Sequence, residues 1–189
     1  MTRDGSGVLA APTGQMTAAV ALVTDIDVPS FDEVYAAHVA FVWRTLRTFG
    51  VADSQIEDAV QDVFVVVHRR LPEWEGRAQM TTWLFAIARR VAGSYRRRAG
   101  NARTEALTAD PIGTADPFAD ASRAEAAATV FAILQTMDED KRVVFALVEL
   151  EQLSVPEVAK ILELNLNTAY SRLRLARAAF EQAVKERIP

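Results

Sequence analysis

Between Asn167 and Arg177 the chain reads NTAYSRLRLAR, and these residue types at this spacing suit contact with nucleic acid. Asparagine can pair with adenine and arginine with guanine, and either can instead grip a phosphate. Leu166, Ala169, Leu173, Ala176 and Phe180 recur at steps of three and four, the period of one inward helical face. Asn167, Thr168, Ser171, Arg172 and Arg174 are left on or near the outward side. A helical hairpin whose arginines are solvated, or matched with acids on a partner, is the competing reading of this stretch taken alone.

A second basic run, TTWLFAIARRVAGSYRRR, sets Arg89, Arg90, Arg96, Arg97 and Arg98 among Trp83, Phe85 and Tyr95. Cations interleaved with aromatic rings suit single-stranded DNA, where each stacked base contributes about 1–3 kcal/mol. At least one of Trp74, Trp83 and Tyr95 is expected in the core instead. Glu105, Asp110, Asp116 and Asp120 lie between the two basic clusters, so the net charge of -4 averages a segregated pattern. That total argues against a protein that simply coats nucleic acid.

Other chemistries find little support. Without cysteine there is no disulfide, thiolate zinc site or cysteine nucleophile, which fits a reducing cytoplasm. His38 and His68 are the only histidines and lack a paired ligand motif, so no metal and no cofactor is expected. No phosphate-binding loop and no nucleophile–base pair is apparent, which argues against an enzyme. No apolar run reaches the roughly 18 residues of a membrane span, and the start of the chain does not read as a signal peptide.

The elements that must position these groups are helices. Ala, Leu, Val, Glu and Arg dominate while glycine and proline are sparse, which predicts an all-α fold. Residues 1–28 read as a flexible tail, within which Met16 is a possible start. Three helices follow in residues 29–98: one over 31–49 stopped by Gly50, one from Asp53 or Ser54 to Pro72, and one from Thr81. The second carries Ile56, Val60, Val63, Phe64, Val67 and Leu71 inward, and the third Leu84, Ile87, Ala88, Val91 and Tyr95. Residues 99–122 lose any period and read as a linker between two domains. In 123–189 helices are expected over 123–137 and 138–151, with Asp138 as N-cap of the second. Ser154-Val-Pro-Glu157 is a capping box opening a short helix that stops near Leu162, and Asn165 caps the last helix.

Two stretches together resemble a family. LSVPEVAKILELNLNTAYSRLRLAR is similar to the region four helix-turn-helix of bacterial RNA polymerase sigma factors of the sigma-70 family, especially the extracytoplasmic-function (ECF) group. DAVQDVFVVVHRRLPEWEGRAQMTTWLFAIARRVAGSYRRR resembles region two of the same group, and the order is the family's. The resemblance implies a region two three-helix bundle and a region four helix-turn-helix joined by a flexible linker. It implies that Asp58, Gln61, Asp62 and Val65 dock on the clamp helices of core RNA polymerase, on its largest subunits. Trp74, Arg77, Trp83, Arg89, Arg90, Arg96 and Arg97 would face the minus-ten element, with the loop LPEWEGRAQM holding a flipped base. Asn167, Thr168, Ser171, Arg172 and Arg174 would face the minus-thirty-five element. Promoter DNA, core polymerase and an anti-sigma factor are the implied partners, with cytoplasmic action and no membrane insertion. Glu163 and Asn167 stand where the family commonly has glycine, Arg90 where it often has asparagine and Tyr170 where lysine is common. A stand-alone helix-turn-helix regulator and a sigma mimic that sequesters an anti-sigma factor are the alternatives.

Overall fold

The computed structural model describes residues 28–103 and 121–187, and the expected tail and most of the expected acidic linker lie outside them. The first half is three helices, α1 (Phe31–Thr48), α2 (Ile56–Arg70) and α3 (Met80–Arg103). Ser30 starts α1 through a capping box: the Ser30 N–H donates to Glu33 at 2.8 Å and the Glu33 N–H to the Ser30 hydroxyl at 3.3 Å. Gly50, at a φ of 80°, takes the left-handed turn that ends this helix region. α2 buries Ile56, Ala59, Val60, Val63, Phe64 and Val67, and a single 3-10 turn with Pro72 follows it. α3 buries Leu84, Phe85, Ile87, Ala88, Ala92 and Tyr95, with Val91 half-buried. It runs to Arg103 rather than ending at Arg98, because a packed helix extends one bond at a time through any tolerant residue, with or without an apolar period.

The second half contains α4 (Ala121–Gln135), α5 (Glu139–Phe145), α6 (Val155–Ile161) and α7 (Leu166–Arg187). The helix expected to run unbroken to Glu151 instead closes with a π turn over Ala146–Leu150, where the Glu151 N–H reaches back five residues to the Ala146 carbonyl at 3.0 Å. Asp138 occupies the N-cap position without making a side-chain cap bond; its carboxylate accepts from Lys141 at 2.8 Å instead. The Ser154–Glu157 capping box is formed in full, with Pro156 in the first turn. Ala169, Leu173 and Ala176 of α7 are buried, and Phe180 stacks on Phe145 with centroids 4.7 Å apart.

The two halves share one core. Trp43 of α1 meets Phe131 of α4 edge-on at 6.0 Å, and the Arg47 guanidinium lies 5.0 Å and 4.7 Å from those two rings. Arg44 grips Glu151 with two bonds of 2.6 and 2.7 Å, and the Glu151 side chain is only 8% exposed. The carbonyl end of α1 also receives donors from the second half: Gln135 on Arg47 at 2.8 Å and Arg142 on Thr48 at 3.3 Å.

Candidate nucleic-acid interface

α6 and α7 form the helix-turn-helix. Its turn needs one residue in the left-handed region, and Glu163 takes it at a φ of 54°. The Leu164 N–H then bonds the Ala159 carbonyl at 2.8 Å, and the Asn165 side chain accepts from the Asn167 N–H at 2.9 Å, opening α7. Short polar caps and a strained non-glycine residue thus fix the angle at which α7 leaves α6.

On α7, Asn167, Thr168, Ser171 and Arg174 are exposed, as their spacing predicts. Arg172 is half-buried and bridges Asp140 of α5 at 2.6 Å, and Arg177 bridges Glu149 at 2.7 Å. Leu166, expected inward, is 43% exposed: the inward row begins at Ala169, and the first turn beyond the Asn165 cap stands clear of the core. Tyr170 at 52% and Leu175 at 43% are exposed as well. Leu166 and Tyr170 share the outward ridge with Arg174, four residues apart in each step, a pattern visible in the sequence once the inward row is seen to start at Ala169.

In the first half, Asp58, Gln61, Asp62 and Val65 form one exposed strip along α2, backed by that helix's fully buried face. Asp62 is fixed in place, since the Tyr95 hydroxyl of α3 donates to it at 2.9 Å. Burial of the phenol and the neighbouring Asp62 push the Tyr95 pKa up, so it remains a donor, and the Arg98 guanidinium lies 5.3 Å from its ring. Tyr95 and Phe85 are therefore core residues and not stacking platforms. Trp74 and Trp83 are half-buried against the core, leaving part of each ring for contact. Arg77 is exposed and paired with Glu75, and Arg89, Arg90 and Arg97 are exposed.

Arg96 pairs with Glu139, so the adjacent acids Glu139 and Asp140 hold one cation from α3 and one from α7. Glu139, Asp140 and Arg172 line a small polar cleft with Arg89 and Phe49. The residue order offers no signal for this junction, which depends on how the halves pack. Among the described residues no group of three His, Cys, Asp or Glu is placed to hold a metal, and no helix is long and apolar enough to cross a membrane.

Residues 34–102 match the family Sigma-70 region 2, and residues 129–180 match Sigma-70, region 4. The ECF RNA polymerase sigma-E factor of Escherichia coli K12 is 28% identical over 146 residues, covering 71% of this chain and 76% of that protein. The ECF RNA polymerase sigma-E factor of Haemophilus influenzae is 29% identical over 151 residues, covering 74% and 80%. Among solved structures, CnrH in complex with the cytosolic domain of CnrY aligns with a TM-score of 0.62 at 25% identity, over 82% of this chain and 88% of that one. The sigma factor RpoE bound to the anti-sigma factor NepR from Bartonella quintana shares the fold, with a TM-score of 0.67 at 18% identity over 82% and 96%.

Proposed function

The chain belongs to the sigma-70 family, its first half carrying region 2 and its second half region 4, and we propose on that ground how it works as an ECF sigma factor. It binds core RNA polymerase and directs promoter recognition, DNA melting and transcription initiation. The α2 strip of Asp58, Gln61, Asp62 and Val65 docks on the clamp helices of the polymerase, its carboxylates facing basic groups there. Arg77, Arg89, Arg90, Arg96 and Arg97, with the accessible parts of Trp74 and Trp83, hold the minus-ten strand as it unpairs. α7 lies in the major groove of the minus-thirty-five element, with Asn167, Thr168, Ser171 and Arg174 at the DNA and Arg172 passing from Asp140 to a phosphate. The chain is a specificity subunit and not itself a catalyst. It acts in the cytoplasm, and an anti-sigma factor is the partner expected to restrain it.

The observation that carries this reading is the α2 strip: two carboxylates, an amide and a valine exposed together on a helix whose opposite face is wholly buried. Competition with a housekeeping sigma factor for core polymerase tests it. The Asp58→Arg, Asp62→Asn variant should lose at least about tenfold in competitive binding, equivalent to about 1.4 kcal/mol. Undiminished competition by a folded variant rules out this docking surface.

A further inference from the structure

Of the six large hydrophobic side chains that stand exposed among the described residues, three lie on α7: Leu166, Tyr170 and Leu175. An exposed leucine is ordinary on a protein surface, but a cluster on the one helix assigned to a major groove is a feature to explain. Leu166 and Tyr170 sit one above the other on the ridge that leads to Arg174, and Asn167 and Ser171 flank them. Arg172, the cation nearest in sequence to Tyr170, is drawn to Asp140 and half-buried. The first two turns of the reading face therefore present a leucine, a phenol ring and small polar groups, and the first exposed cation is Arg174.

A surface of that composition suits the one apolar feature of the major groove, the C5-methyl of thymine. We propose that Tyr170, supported by Leu166, determines minus-thirty-five specificity by packing on thymine methyl groups, a contact that rests on the assignment of α7 to that element. Arg174, farther along the same ridge, anchors the backbone beyond the thymines. The phenol hydroxyl lies at the tip of the ring and is free to reach a phosphate while the ring face covers the methyl.

The test uses holoenzyme assembled from core polymerase and the full chain, on promoters selected by that holoenzyme from a random-sequence library. Each thymine of the selected minus-thirty-five element is replaced in turn by deoxyuridine, which removes the methyl and leaves every hydrogen-bonding group. For the wild-type chain, promoter affinity should fall about fourfold at one or two thymines, the change expected for one buried methyl-sized group. The same replacements should leave the affinity of Tyr170→Ala unchanged, while Leu166→Ala shows an intermediate loss. Tyr170→Lys should select a different element at those positions. No deoxyuridine effect in the wild-type chain overturns the inference, as does an effect that persists at full size in Tyr170→Ala. A holoenzyme that selects no promoter at all overturns the placement of α7 on DNA, and the inference with it.

Discussion

At the scale of single residues, Glu163 and the arginines of α7 yield separable expectations. An L-residue in the left-handed region costs about 1–2 kcal/mol relative to an unstrained one, and Glu163 sits there at a φ of 54°. Glu163→Gly should stabilise the chain by about 1 kcal/mol in urea denaturation, with promoter affinity unchanged. The residue order already marked this position, where the family commonly carries glycine, and the backbone angle explains that preference. Arg174 is exposed, so Arg174→Ala should weaken promoter binding uniformly across sequences and reduce the slope of affinity against salt by about 1. Arg172 begins bound to Asp140, and exchanging that bond for a phosphate gains less, so Arg172→Ala should change the slope by less than Arg174→Ala does. Titration of holoenzyme binding between two salt concentrations measures both.

At the scale of elements, the local signals were the legible ones. The Ser154–Glu157 capping box, the stop at Gly50, the buried face of α2 and the Asn165 cap depend on residues close together in the chain, and all form where the pattern puts them. The departures arise where packing decides: the π turn at Ala146–Leu150, the inward row of α7 that omits Leu166, and the burial of Phe85 in a run that reads as a DNA surface. A ring beside arginines looks the same in sequence whether it faces base or core. The caps themselves titrate. Hydrogen bonds from Ser30 and Ser154 lower the pKa of Glu33 and Glu157 below the usual 4.5. Because the folded values lie below the unfolded one, the stabilisation is complete above the ordinary glutamate range and is lost as pH falls through the lowered values. The difference in melting temperature between the wild-type chain and Ser154→Ala should therefore be constant down to about pH 5 and shrink below it, with Ser154→Ala costing about 1 kcal/mol at neutral pH.

At the scale of the whole molecule, the seam between the halves was invisible in the residue order, because its partners lie far apart along the chain. Arg44 meets Glu151, and Gln135 and Arg142 close the carbonyl end of α1. Glu151→Lys, which sets a cation against Arg44 in a site only 8% exposed, should cost about 3 kcal/mol and split a single calorimetric transition into two. The same seam predicts that the two halves can associate without covalent continuity. A chain cut once between Arg103 and Ala121 should keep Trp43 against Phe131 and Arg44 on Glu151, since these contacts join described residues on either side of the cut. The two pieces are then a complementing pair, which can be produced separately, isotope-labelled one at a time and recombined into a single folded particle.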